Sequence, residues 1–314
     1  MKTKKLVIAM LVIVITGILV FGYFYMIRQS PVDVIKGVSP ISSDTPPHFL
    51  YAIDNDPGHP LDRPMAVQVV DNRIFVSDAG TNQVLVFDYN GKFENYLKPG
   101  GSAFRTPYGL TFDGTNLYVA DTGAGKIYIF DAGGKYKGAF NAEGGSLAGP
   151  GQILAKAGKL YVSDLQAQRI DVFDLKGKLL ESFGKEGAGQ GELSFPHGVA
   201  VDAKGAIYVA DSGNNRVSVY NPDGSVRQNI GGGDNSEILT PRGLIIDKNG
   251  NLWVVAGMAN KLLVYRQNGS KDMEFGQEGR DYGQLSLPNG VYIDSNNRVY
   301  VTEVGNRRVS VFGY

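Results

Sequence analysis

Residues 195–225 read FPHGVAVDAKGAIYVADSGNNRVSVYNPDGS, and the grammar of this stretch decides the fold. A Pro-x-Gly opening runs into the apolar VAV at Val199, and DAKG at Asp202 is a turn. IYVAD at Ile207 is a second strand, SGNN at Ser212 a polar turn, and RVSVY at Arg216 a third strand. NPDG at Asn221 then turns the chain into a fourth, SVRQNI at Ser225. Apolar runs and period-two alternation, cut by Gly, Asn, Asp and Pro, are the signature of short strands joined by tight turns.

Working outward, the same opening recurs as RPMAVQV at Arg63, TPYGLTFD at Thr106, GPGQILA at Gly149, TPRGLIID at Thr240 and LPNGVYID at Leu287. The six prolines (Pro64, Pro107, Pro150, Pro196, Pro241 and Pro288) are spaced by 43, 43, 46, 45 and 47 residues. A period of this size marks a repeat architecture, and four antiparallel strands per unit make one propeller blade. The period also accounts for the glycine content, 42 of 314 residues, about twice the usual share. Gly91, Gly134, Gly177, Gly224 and Gly269 share one slot, the turn before the fourth strand, where a positive φ is commonly required.

The last unit stops at Tyr314, just after its third strand, while HFLYAID at His48 precedes the first proline where a fourth strand belongs. Residues 48–54 are therefore expected to complete the last blade, so that the chain ends close the ring and cover its sheet edges. The expected fold is all-β: a six-bladed β-propeller over residues 48–314.

Six in-phase units carrying Pro-x-Gly, a Tyr-Val-Ala-Asp-like strand end, Asn-Arg and Val-x-Val-Phe/Tyr resemble the NHL repeat, and residues 195–225 match it best. The resemblance implies the six-bladed fold. For function it implies a family that mostly binds proteins, peptides, nucleic acids or glycans, with a minority of enzymes. These include a metal-dependent peptidyl-hydroxyglycine lyase and, among related six-bladed propellers, calcium-dependent lactonases. Some relatives carry a zinc-binding RING domain, which a chain with no Cys does not contain.

A slot filled alike in every blade is structural, and a slot that varies is where specificity can reside. The acid ending the second strand is Asp78, Asp121, Asp164, Asp211 and Glu303, with Ala256 the exception. These carboxylates are expected to accept hydrogen bonds from their own polar turns and to pair with Lys126, Arg169, Arg216, Lys261 or Arg308. The turn of blade five, lacking its acid, is expected to differ. The residue between Pro and Gly, or its equivalent, is instead Met65, Tyr108, Gly151, His197, Arg242 and Asn289. It is expected at the mouth of the central channel, making Arg63, Tyr108, His197, Arg242 and Asn289 the candidate ligand-binding residues. Long loops at Gly184 and Gly276 are expected to border this face.

Catalytic motifs are absent from the sequence: there is no nucleophile elbow, phosphate loop or HExxH pattern. The three His (His48, His59, His197) occupy unlike slots, so no zinc site is expected. DNDPGH at Asp54 lacks the glycine and bidentate Glu positions of a calcium loop and is expected to be a turn. No cofactor is expected; calcium or zinc enters only under the lyase or lactonase alternative.

Residues 6–27 form an uncharged apolar run, long enough at ~1.5 Å per helical residue to cross a ~30 Å hydrocarbon core. Lys2, Lys4 and Lys5 precede it and Arg28 follows, which favours a cytoplasmic amino end. A cleaved signal peptide, the rival reading, has a shorter apolar core and a small-residue site. The expected layout is a cytoplasmic stub (1–5), a transmembrane helix (6–27), a Pro/Ser-rich spacer (28–47) and an extracytoplasmic propeller (48–314). Formal net charge is zero, but residues 31–314 hold 27 Lys+Arg against 31 Asp+Glu. That acidic ring argues against nucleic acid as a partner. A protein, peptide or envelope glycan is expected, bound by a non-catalytic recognition module.

Overall fold

The computed structural model describes residues 45–314 apart from 55, 145, 146 and 234. They form six four-stranded antiparallel sheets. Blade one spans residues 64–96, blade two 107–139, blade three 150–183, blade four 196–231 and blade five 241–275. Blade six takes its three inner strands from residues 288–313, and its outermost strand is His48–Ile53, paired antiparallel with Arg308–Gly313. The closure inferred from the sequence is thus observed, with Phe49 opposite Phe312 and Ile53 opposite Val309. The expected stub, transmembrane helix and nearly all of the spacer lie outside the described residues. Among the described residues no helix is long and apolar enough to cross a membrane.

The apolar residues of the strands pack between blades, giving six clusters among the described residues. Across the closing seam, Ile53, Leu61, Val67, Ile74, Leu85 and Phe87 meet Tyr300, Val309 and Val311. Each such interface removes one face of each of its two sheets from water, at ~25 cal/mol per Å² of apolar surface. The turn glycines behave as expected: Gly91, Gly134, Gly177, Gly224 and Gly269 all have φ between 73° and 103°, a region they enter without steric cost.

The Pro-x-Gly openings do something the sequence did not reveal. In every blade the pairing of the two inner strands skips register just after the proline, as between Pro107 and Leu110 or Pro288 and Val291. Such bulges re-aim side chains, and here they present the x residue toward the mouth. The glycine itself lies against the carbonyl of the x residue in the next blade. A Cβ on Gly109 would sit 2.5 Å from Gly151 O, on Gly243 2.8 Å from Asn289 O, and on Gly290 2.6 Å from Met65 O. Hydroxyls complete the contact: Ser77 donates to Tyr108 O, Thr122 to Pro150 O (2.6 Å), and Ser163 and Ser212 to Pro196 O and Pro241 O.

The strand-end acids are fully buried and gather more than their own turns. Asp78 accepts from Gly80 and Thr81 N–H in its turn, and from Asp62 and Arg63 N–H in the loop entering the blade. Asp164 does the same with Ala148, Gly149, Gln166 and Ala167. The expected ion pairs form at Arg216–Asp211 (2.7 Å) and Arg308–Glu303 (2.9 Å). Arg169 Nε contacts Asp171, with the Asp164 charge also acting on its guanidinium, and Lys261, whose blade has no strand-end acid, contacts Glu274. The expectation for blade five is overturned. Its turn, Gly257–Ala259 capped by left-handed Asn260, has the same shape as Ser212–Asn214 capped by Asn215 in blade four. Backbone bonds suffice there, since Gly257 N–H reaches Thr240 O and Met258 N–H reaches Leu239 O.

Candidate functional site

The five candidate residues converge at one end of the channel. Tyr108, His197, Arg242 and Asn289 all sit in the bulge after an innermost proline, and Arg63 precedes Pro64. Tyr108 Oη lies 2.9 Å from His197 Nδ1, and Arg242 Nη1 donates to His197 Nε2. A guanidinium can only donate, so Nε2 is the acceptor and the imidazole proton resides on Nδ1, pointing at the Tyr108 hydroxyl. Asn289 Nδ2 donates to Met65 O (2.7 Å), tying blade six to blade one, and the Asn289 side chain also borders the Tyr108 hydroxyl. Arg63 is exposed and donates to Ala79 O (3.2 Å) on the rim.

Burial dominates the electrostatics. Burial, and secondarily the Arg242 charge, pushes His197 down to about 3. Burial raises Tyr108 above the ordinary phenol range, against the opposing pull of Arg242 and Arg63. At neutral pH the imidazole is therefore uncharged with both nitrogens occupied. It bridges Tyr108 and Arg242 in a fixed relay of hydrogen bonds.

Above this floor lies a cavity of about 320 Å³, lined among others by Arg63, Met65, Tyr108, Arg242, Met258 and Asn289. Its lining includes two guanidinium groups and no carboxylate. Among the described residues no three His, Asp or Glu side chains are grouped to hold a metal. A divalent cation does not fit a mouth whose charged groups are arginines. Within the DNDPGH segment, residues 56–59 form a turn: Asp56 accepts from Gly58 N–H, and His59 stacks on Phe93.

The long loops at Gly184 and Gly276 are built around arginines that sequence reading treated only as ion-pair partners. Arg216 sends Nη1 to Ala188 O (3.0 Å) and Nη2 to Gly189 O and Glu192 O (2.9 and 2.8 Å). Arg308 repeats this on Arg280, Asp281 and Gln284 carbonyls. Asn214 and Asn306 add bonds to Gly187 O and Gly279 O. The Asn-Arg pair is thus a pin that folds the preceding loop onto the blade.

The residue before the proline in blades four to six was not recognised as special in the sequence. Phe195, Thr240 and Leu287 adopt φ of 49°, 48° and 46°. Their N–H groups are held by the side-chain oxygens of Gln168 (2.6 Å), Asn215 (2.8 Å) and Asn260 (2.8 Å) from the preceding blade.

Comparison with known proteins agrees with this anatomy. Residues 193–220 and 285–312 match the NHL repeat, and residues 59–103 match a six-bladed β-propeller family, DUF5128. No functionally curated protein matches the sequence. Among solved structures, a catalytically inactive virginiamycin B lyase from Staphylococcus aureus with quinupristin is 15% identical, with TM-score 0.60, covering 84% of this chain and 98% of that one. A gluconolactonase from Xanthomonas campestris is 15% identical, with TM-score 0.60, over 86% and 95%. A chain of a nidogen/laminin complex is 17% identical, with TM-score 0.55, over 68% and 79%. At such identities the likeness is one of fold alone. Repeat matches in blades four and six, and the same anatomy around the ring, identify the protein as a six-bladed β-propeller carrying NHL repeats.

Proposed function

We propose that the propeller is a non-catalytic recognition module that binds a protein, peptide or envelope glycan at its channel mouth. One observation carries this reading. The floor of the mouth is a closed hydrogen-bond relay, Tyr108–His197–Arg242, whose imidazole is neutral and fully engaged. Such a floor presents fixed hydrogen-bonding groups to a ligand, with its imidazole held neutral and bonded at both nitrogens. The apolar run at residues 6–27 supports a further part of the proposal: a single-pass anchor with the propeller outside the cytoplasm, where membrane confinement raises effective concentration toward neighbouring partners.

Crosslinking in intact membranes tests the reading. A partner captured by the wild-type chain should be lost from Arg242→Ala and Tyr108→Ala, and undiminished capture by both would overturn the choice of face. The second reading, a metal-dependent lyase or lactonase, draws on the fold shared with virginiamycin B lyase and gluconolactonase. Stoichiometric calcium or zinc in the purified protein, removed by chelation together with a lyase or lactonase activity, would favour it.

A further inference from the structure

We propose that the rim of blades four to six docks a protein segment in which apolar side chains flank an acidic one, the acid entering the mouth cavity. This inference rests on the recognition reading above and specifies the chemistry of the partner.

The ring has two ways of leading the chain into a blade. In blades one to three, successive N–H groups of the entering loop are both taken by the strand-end acid, as with Arg105 and Thr106 on Asp121 (each 2.8 Å). In blades four and six the acid keeps only the first, Ser194 or Ser286. The next residue is flipped into the left-handed region and handed to an amide of the preceding blade. For a residue with a Cβ this conformation is sterically disfavoured. The flip leaves Phe195 58% and Leu287 45% exposed; Met258, which lines the mouth cavity with Leu287, is 61% exposed, and Leu239, whose carbonyl accepts from Met258 N–H, is 37% exposed. Half the ring thus adopts the strained solution and displays bulky apolar groups, a combination that belongs to ligand clamps.

Charge narrows the occupant. Leu287 and Met258 border the same cavity as Arg63 and Arg242, and no carboxylate lines it. A ligand that covers the apolar rim therefore brings its neighbouring group within reach of two guanidinium groups, each with N–H donors beyond those given to Ala79 O by Arg63 and to His197 and Tyr108 by Arg242. A carboxylate fits those donors in charge and in fork geometry. The cavity is recessed behind the rim, which suits an inserted side chain better than a flat bilayer surface.

A random-peptide phage library panned against the purified full-length chain in detergent tests this. Enriched peptides should carry Asp or Glu beside Leu, Ile, Met or Phe. A synthetic consensus peptide should bind at least about tenfold more weakly to Met258→Glu and Phe195→Ser. The same loss should follow replacement of its acid by the amide. Met258 is exposed, so its substitution leaves the fold intact, which circular dichroism verifies. Enriched peptides without acids, or affinity unmoved by both rim substitutions, would overturn the proposal. If such affinity were still abolished by Tyr108→Ala, recognition at the mouth would stand while the rim inference failed. Failure to enrich any peptide would also overturn it. So would Met258-dependent binding to phosphatidylglycerol vesicles, which makes the rim a membrane contact, or Met258-dependent self-association, which makes it a contact between copies.

Discussion

Replacing Arg216 by Met should destabilise the ring severely, while Lys126→Met, a substitution in the same repeat slot of blade two, should be nearly silent. Arg216 is 8% exposed. It gives one bond to buried Asp211 and three to loop carbonyls. Methionine preserves much of the aliphatic stem and removes all four. Breaking a buried ion pair by deleting one partner costs ~3–5 kcal/mol. Asp211 retains donors from Ser194 N–H, Asn214 and Ser218, which places the expected loss near the lower end, at about 3 kcal/mol. For a domain of this size, that lowers Tm by roughly 6–12 °C at 2–4 °C per kcal/mol. Lys126 is exposed, and Asp121 is satisfied by the N–H groups of Arg105, Thr106 and Ala124. Its removal should cost under about 0.5 kcal/mol. Thermal and urea unfolding followed by circular dichroism measure both. If Arg216→Met melts within 2 °C of wild type, or Lys126→Met falls as far, the pin assigned to the Asn-Arg pair is wrong.

Three further outcomes follow from the same anatomy. Deleting residues 48–53 removes the outermost strand of blade six and its half of the seam, so the sharp unfolding transition should vanish; an unchanged melt would contradict the closure. Ala256→Asp should destabilise blade five by several kcal/mol, because it buries a carboxylate where Lys261 and Leu263 replace the donors Arg216 and Ser218, and wild-type stability in urea would refute this. His197 titrates near 3 in the fold, chiefly because it is buried, and near 6.5 when unfolded. Between these values the unfolded chain binds the extra proton, so His197 makes stability fall as pH drops below about 6.5, by at most ~1.4 kcal/mol per pH unit; His197→Gln should lack this component in melts taken from pH 7 to 4.

The architecture was legible because it is periodic. Six prolines, the turn glycines and the missing last strand each report a spacing, and a spacing survives without coordinates. That Tyr108, His197, Arg242 and Asn289 come together was also legible, because a slot that varies between otherwise similar repeats is visible in one sequence; Arg63 stands one place before its proline. What stayed hidden depends on contacts between blades. Nothing local distinguishes Arg216 from Lys126, yet the long loops ahead of blades four and six supply carbonyls for the forks of Arg216 and Arg308. The glycine of Pro-x-Gly reads as a turn residue, but its lack of a Cβ serves a carbonyl one blade away, as at Gly290 and Met65. Phe195 and Leu287 read as ordinary pre-proline residues. Their left-handed backbone is imposed by Gln168 and Asn260, each 27 residues earlier. Ala256 misled for the opposite reason: losing the acid did not alter a turn that backbone bonds already close.

The seam between His48–Ile53 and Arg308–Gly313 also orders events during synthesis. Among the described strands, the first made pairs with the last made, across about 255 residues of chain. At ~5–20 residues per second, roughly 13–50 s elapse between their appearances. Throughout that interval the first strand has no partner, and blade one lacks the neighbour that covers Val67 and Ile74. The ring therefore cannot lock until Arg308–Gly313 has been made, and a chain halted anywhere short of Arg308 presents an open, adhesive edge to whatever handles nascent proteins.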